Sequence, residues 1–402
     1  MAAPLLPVAE ARKLIVDDLQ AVGSETAKLA EALGRVLHAP AVAQVSHPPA
    51  DVSAMDGYAL RAADIPSAPS TARVIGESAA GHPWRGTLGA GNAVRIFTGA
   101  YVPAGADSIV IQEDTSVDGA TVTIIEAPQR GRHIRPAGQD FRIGDTVLTP
   151  PRRLTARDIG LLAAMNLPQI SVYRRPRIGV LSTGDEIVLP GEPVGEGQIV
   201  SANGPGLCAF VTAHGGEAVH LGVVKDDPDA LMRAAQQAHG LDMLVTSGGV
   251  SVGDHDVVKG ALHKAGFKAS FHKIAMRPGK PLLYGRLHDL PILGLPGNPV
   301  SSMVCAVLFL GPALDKLQGL AGEAPPTLPA RLAVDMKAND GRADHIRAAL
   351  QRERDGMMVT SPVGIQDSAM ISNLAHADGL IVRAPFAPAA KAGEIVQFIP
   401  LR

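Results

Sequence analysis

Five segments of this chain are rich in glycine, polar or charged residues in the manner of ligand-binding loops. They are Ser182-Thr183-Gly184-Asp185-Glu186, Lys225-Asp226-Asp227, Ser247-Gly248-Gly249-Val250-Ser251-Val252-Gly253-Asp254-His255-Asp256, Pro296-Gly297-Asn298-Pro299, and the stretch Lys273 to Lys280 containing Arg277-Pro278-Gly279-Lys280. Glycines let backbone N–H groups approach an oxyanion, and a helix N-terminus adds partial positive charge. Carboxylates beside such a cradle suit Mg²⁺, which prefers oxygen ligands and phosphate-bridged geometry. Lys273, Arg277 and Lys280 supply cations that bind an anion and offset charge in phosphoryl chemistry. The residues therefore point to a phosphate-bearing small molecule, Mg²⁺ and an anion. Ser182, Thr183, Gly184, Ser247, Gly248, Gly249, Pro296 and Asn298 are the expected substrate-binding positions of these loops.

Plainer roles compete at several positions. Asp227 before Pro228 is expected to cap a helix, leaving Asp226 the more open to a ligand role. His255 is expected beside a metal rather than on it, and Met55, next to Asp56, is expected to pack. The basic run Arg130-Gly131-Arg132-His133-Ile134-Arg135, with Arg142, Arg152 and Arg153, reads first as a solvated face and second as an anion site. Other chemistries lack their motifs. No Gly-x-Gly-x-x-Gly follows a strand, and Gly279-Lys280 runs into Pro281 rather than Ser or Thr. Gly249-Val250-Ser251-Val252-Gly253 fits the string of a serine-hydrolase elbow, but it continues into Asp254 with no matching His/Asp pair. The 13 histidines show no metal-ligand spacing.

The elements that must position these loops follow from periodicity. After Arg174-Arg175-Pro176, apolar runs at 178–181, 218–224, 243–246, 282–284 and 292–295 read as strands. Helices are expected at 204–214, from Asp226 onward, at 256–265 and from Val300 to Leu317. That alternation predicts a mostly parallel sheet with helices on both faces, and ligands at the carboxyl ends of its strands. Upstream, Val8 to Leu37 carries two helical patterns (Ile15, Leu19, Val22, then Leu29, Leu33, Leu37). Short β-branched runs at 72–75, 94–97, 108–111 and 121–125 read as a small β-rich domain. A helix capped by Thr155, with Ile159, Leu162 and Ala163 on one face, is expected to complete the N-terminal helical unit, so that the β-domain is inserted into it. Beyond the Pro-rich stretch 324–329 the last segment alternates like a small barrel or sandwich.

Composition bounds the rest. A chain of 402 residues is long enough for two to three domains at about 150 residues each. A formal charge of −2 and only 3% aromatics argue against a protein built to grip nucleic acid. Two separated cysteines in apolar runs, Cys208 and Cys305, argue against a disulfide scaffold and for a reducing compartment. The N-terminus lacks the basic region of a signal peptide, and the apolar run Val300 to Leu314, about 15 residues, is too short to span a bilayer. A soluble, cytoplasmic protein is expected.

Taken together, the motifs resemble those of the molybdopterin molybdenumtransferase family, a relative of which is the E domain of gephyrin. The matching stretches are Ser53-Ala54-Met55-Asp56-Gly57-Tyr58-Ala59, Arg95-Ile96-Phe97-Thr98-Gly99-Ala100 with Pro103-Ala104-Gly105-Ala106-Asp107, Ile134-Arg135 through Gly138-Gln139-Asp140, the 182–186 and 247–254 loops, Met276-Arg277-Pro278-Gly279-Lys280-Pro281, and Leu295-Pro296-Gly297-Asn298-Pro299-Val300-Ser301. They run in family order from about residue 50 to 302. Two departures stand out: Val52 where the family often has Asn, and Gln366-Asp367-Ser368 where it has Gln-Gly-Ser.

The resemblance implies a multidomain α/β and β fold: a discontinuous helical dimerisation domain (1–44 and 143–175), an inserted β-rich domain (45–142), an α/β domain of the molybdopterin adenylyltransferase type with a three-layer, mostly parallel sheet (176–325), and a C-terminal β-barrel (326–402). It implies insertion of molybdate into adenylylated molybdopterin with Mg²⁺-dependent cleavage of the adenylate, releasing molybdenum cofactor and AMP. By motif position, Glu186, Asp226 and Asp256 belong to the catalytic set, holding the metal or arranging the attacking oxygen. Arg277 and Lys280 bind molybdate, with Ser301, Arg347 and Ser368. Asp56, Thr98 and Asp140 join the catalytic set by reaching the α/β domain of a second subunit, so a homodimer with a shared site is expected. Transient contacts with the adenylyltransferase and with molybdoenzyme apoproteins are expected, and none with nucleic acid or membrane. The alternatives on the same fold are a non-catalytic scaffold and a tungstate-handling paralogue.

Overall fold

The computed structural model describes residues 5–225, 240–249 and 266–401. The chain divides into two compact units, one made of the N-terminal segment through Glu25 together with Tyr173–Arg402, the other of Thr26–Val172.

The first unit is built on a six-stranded sheet in the order Glu217–Val224, Arg177–Thr183, Met243–Ser247, Leu290–Leu295, Leu283–Leu287, Phe267–Phe271. The first four strands are parallel; Leu283–Leu287 runs antiparallel to them, and Phe267–Phe271 pairs antiparallel with it in turn. Every residue of Met243–Ser247 and all but the first of Arg177–Thr183 are buried, as expected of parallel strands covered on both faces. Ile178, Val180, Met243, Val245, Leu293 and Leu295 share one core with the helices Val8–Asp18, Asn203–Ala213 and Pro299–Leu317. Leu181, Leu244 and Ile292 alternate with them into a second core with Phe267, Leu283 and Leu287. The helices expected from Asp226 onward and at 256–265 lie outside the described residues. The edge strand Phe267–Phe271 adds to the expected elements: Phe-Lys-Ala-Ser-Phe does alternate apolar and polar residues, but the run is only five residues long and its middle three are exposed.

The helix Pro299–Leu317 corrects one expectation. Its continuous length is 19 residues, enough by length and composition to cross a membrane, whereas the apolar run alone reads as shorter. Burial of 78% of that window inside the protein makes it the core helix of this unit. A π-turn at Ala306–Leu310 precedes Pro312, whose missing N–H and bulky ring would break a regular α-helical ladder there.

The C-terminal strands form a closed five-stranded barrel. Ala343–Arg352 pairs with both Met358–Pro362 and Gly379–Arg383, and Leu328–Leu332 and Ile395–Pro400 complete the ring. Ala330, Leu332, Ala348, Ile381 and Phe398 fill it. The short strand Met276–Arg277 pairs with Ala343–Asp344, which ties the loop bearing Arg277 to the barrel rim.

The second unit contains a six-stranded sheet ordered Ser108–Ile111, Gly57–Leu60, Asn92–Ile96, Ser70–Ser78, Thr121–Ile124, Thr115–Asp118. The β-branched runs read from the sequence supply four of these strands. Helix Ala156–Ala164 begins at Thr155 with a full capping box, Asp158 bonding back to the cap. The second helical pattern, Leu29 to Leu37, is corrected: Leu29–Glu31 is a single 3₁₀ turn and Val36–Leu37 a short strand paired with Arg152–Arg153. Gly34, at φ 75°, breaks the run, and Leu33 is exposed. Met55 also departs from expectation, being 40% exposed rather than packed. The ring of Trp84 lies between Gly76 and Gly86, where a Cβ on either glycine would come within 2.3 Å of it.

Candidate functional site

A cavity of about 870 Å³ opens at the carboxyl ends of the parallel strands of the first unit. The strand Arg177–Thr183 delivers Ser182, Thr183, Gly184 and Glu186 to its wall. The strand Met243–Ser247 delivers Ser247, Gly248 and Gly249, and Leu290–Leu295 leads into Pro296 and Asn298, followed by Ser301. Arg277 and Lys280 line it from the loop tied to the barrel, and Ser368 from the barrel itself.

Close packing of backbone shapes the floor. Gly248 adopts φ 95°, and a Cβ there would come within 2.5 Å of the Thr183 carbonyl oxygen. Gly279, at φ 104°, would drive a Cβ to 2.5 Å from Cys305 Sγ. Asn203 Nδ2 donates to Ser247 Oγ and to the Gly297 carbonyl, both at 2.7 Å, which locks two of the loops together. Asn298 Nδ2 donates to Ser368 Oγ at 2.8 Å, and Val300 N donates to the Ser368 carbonyl at 3.1 Å. The long helix thus meets the barrel loop at its own N-terminus.

The first turns of two helices, those starting at Pro299 and Asn203, contribute to the cavity wall. Their dipoles, together with Arg277 and Lys280, favour an anion there. The Ser182 and Thr183 hydroxyls are buried with no hydrogen-bond partner among the described residues, so the wall offers unused polar atoms to a ligand. Glu186 brings a carboxylate that has no ion-pair partner among the described residues. Mg²⁺ characteristically takes one or two carboxylates plus phosphate oxygens, and Glu186 beside these hydroxyls fits that donor set. No group of three metal-ligating side chains occurs among the described residues. Asp226 and Asp256, the other two expected ligands, lie outside them.

Two expected anion ligands are placed elsewhere. Lys273 is exposed and does not line the cavity. Arg347 is 2% exposed and buried in the barrel. Its guanidinium donates to Gln366 Oε1 at 3.3 Å, the Met370 carbonyl at 3.0 Å and the Ile365 carbonyl at 3.1 Å, so it holds the loop that carries Ser368. Asn203 and Arg342, which sequence reasoning passed over, also line the wall, as do Gln366 and Asp367 of the departing Gln366-Asp367-Ser368 motif. The start of Asn203-Gly204-Pro205 carries a helix-start signal that would have placed Asn203 at the site; Arg342 has no such signal.

The second unit holds Asp56, Thr98 and Asp140. Asp56 Oδ1 accepts from Thr98 N at 2.7 Å and from Thr98 Oγ1 at 2.8 Å. Those two bonds hold the Asp56 carboxyl below its ordinary range, with the charge of Arg95 adding to the effect. Asp140 lines a separate cavity of about 590 Å³ with Arg135, His47 and Tyr101.

A Gly-rich, cation-bearing cavity over the carboxyl ends of a parallel sheet is that of an α/β protein with a site suited to an anionic small molecule. Family comparison narrows this. Residues 6–166 match the MoeA N-terminal region (domain I and II), residues 179–316 a probable molybdopterin binding domain, and residues 329–401 the MoeA C-terminal region (domain IV). The chain is 35% identical to the molybdopterin molybdenumtransferase of Haemophilus influenzae, over 98% of each chain. It is 37% identical to that of Nostoc sp., over 89% of this chain and 84% of the relative. A crystal structure of the molybdopterin biosynthesis MoeA protein from Pyrococcus horikoshii, 28% identical, superposes with a TM-score of 0.84 over 99% of this chain and 100% of the other. The chain belongs to the molybdopterin molybdenumtransferase family.

Proposed function

We propose that this chain is a transferase that inserts molybdate into adenylylated molybdopterin, cleaving the adenylate and releasing molybdenum cofactor and AMP. The observation that carries this reading is the 870 Å³ cavity, where buried unpaired hydroxyls, two helix N-termini and the cations Arg277 and Lys280 converge. Its relatives in Haemophilus influenzae and Nostoc carry the corresponding name.

In this reading the backbone N–H groups around Gly184, Gly248 and Gly249 hold the phosphate of the substrate, and Ser182 and Thr183 donate to its oxygens. Arg277, Lys280 and Ser301 receive the molybdate oxyanion, with Ser368 kept in place by Asn298. Glu186, with Asp226 and Asp256, would hold Mg²⁺, which supplies charge neutralisation for the departing phosphate. The tetrahedral dianions molybdate and tungstate match in charge and nearly in size, so both are expected to enter. The resemblance that sets Asp56, Thr98 and Asp140 against a second copy adds a homodimeric, cytoplasmic enzyme to the reading.

The test is AMP release from adenylylated molybdopterin with Mg²⁺, with and without molybdate. Molybdate-dependent release is the expected result. Binding without release would replace the enzyme by a scaffold, and no binding would mean that the cavity serves another ligand.

A further inference from the structure

Arg277 lines the cavity, yet its guanidinium is engaged by acceptors on the barrel rim. Nη1 donates to Asp340 Oδ2 at 3.3 Å, while Nη2 donates to Asn339 Oδ1 at 3.2 Å and to Asp344 Oδ2. The acceptors are themselves fixed. Asn339 Nδ2 donates to the carbonyls of Arg342 at 2.7 Å, Ala384 at 2.9 Å and Arg383 at 3.3 Å, which leaves its oxygen turned to Arg277. Asp344 is nearly buried, whereas Asp340 is half exposed. Asp340 also accepts from Arg342, another residue of the cavity wall, at 2.7 Å. Two wall arginines therefore face two carboxylates, and their charges cancel.

We propose that the turn Asn339–Asp344 is a counter-charge latch: it competes with the incoming oxyanion for Arg277, and so sets the anion affinity of the site. The latch rests on the reading that Arg277 meets the oxyanion and adds how that contact is regulated. An oxyanion that recruits Arg277 must take over charge-assisted hydrogen bonds that Asp340 and Asp344 now hold. The same carboxylates repel it as it arrives. Asp340 and Asp344 are positioning residues in this scheme, acting through the arginine.

The experiment is calorimetric titration of the full chain with sodium molybdate at fixed ionic strength. Asp340→Asn keeps the side-chain shape at a half-exposed position and is expected to tighten binding roughly five-fold. Asp344→Asn should move affinity in the same direction. Arg277→Ala is expected to weaken binding by about ten-fold or more, and in that background the gain from Asp340→Asn should shrink below about two-fold. Unchanged or weaker binding by Asp340→Asn, while Arg277→Ala still weakens it, overturns the latch and leaves the oxyanion reading standing. A gain that survives intact without Arg277 also overturns it, since the carboxylate then acts only as diffuse charge. Wild-type affinity in Arg277→Ala removes the oxyanion reading and the latch together.

Discussion

Gly248 leaves no room for a side chain at the site. Its φ of 95° and the 2.5 Å approach of an added Cβ to the Thr183 carbonyl both oppose any side chain. Gly248→Ala is expected to cost roughly 2–4 kcal/mol, by left-handed strain plus a backbone shift, and to show as a lowered melting temperature. Arg277 and Lys280 make a different kind of prediction, on function rather than stability. Replacing both with Ala should raise the molybdate needed for half-maximal AMP release by about ten-fold or more, with a much smaller change in nucleotide affinity. Equal loss of both would move these cations to the substrate phosphate. The residue types and loops were legible before the fold, because each motif places glycine and charge at a strand end. Which charged side chain faces the cavity was not. Arg342 and Arg347 lie five residues apart near one strand; Arg342 bonds its near neighbour Asp340, whereas the carbonyls of Ile365 and Met370, about 20 residues away, make Arg347 a buried support.

Among the elements, the barrel strand Ala343–Arg352 carries three buried ionisable groups, Asp344, His345 and Arg347, and the last two have opposite consequences. Arg347 satisfies the carbonyls of Ile365 and Met370, and Arg347→Met would leave them unpaired beneath the loop of Ser368. A loss of about 3 kcal/mol or more is expected, read as barrel destabilisation together with weakened molybdate binding. His345 is buried with Nδ1 unpaired among the described residues, and burial pushes its pKa down from 6.5 to about 4. Between those values the unfolded chain binds a proton that the folded chain does not, so stability falls as pH drops from 6.5 toward 4 and levels off below. His345→Leu should flatten the melting temperature across that window; an unchanged slope would assign the dependence to other groups. The central strands and the Thr155 cap were readable because period and cap chemistry are local. The Leu29–Leu37 run misled because apolar spacing alone cannot register Gly34 in a left-handed turn, nor the partner strand Arg152–Arg153 more than 110 residues away.

For the whole molecule, the proposed shared site in a homodimer makes a prediction about mixtures. An Asp56→Asn variant and an Arg277→Ala/Lys280→Ala variant, dissociated and recombined at low molybdate, should regain about a quarter of wild-type AMP release, since half the dimers then carry one intact site. No recovery would mean that each site is built within one chain. The division of the chain was only partly legible: the β-rich texture of the second unit is local, but the packing of helix Val8–Asp18 against the Pro299–Leu317 helix joins sequence ends almost 300 residues apart. The single tryptophan of the chain is Trp84, seated between Gly76 and Gly86 in the second unit. Its emission is therefore a native optical reporter for residues 26–172 alone, while far-ultraviolet dichroism averages both units. Following the two signals side by side through a denaturant titration separates the melting of one unit from that of the other without any label.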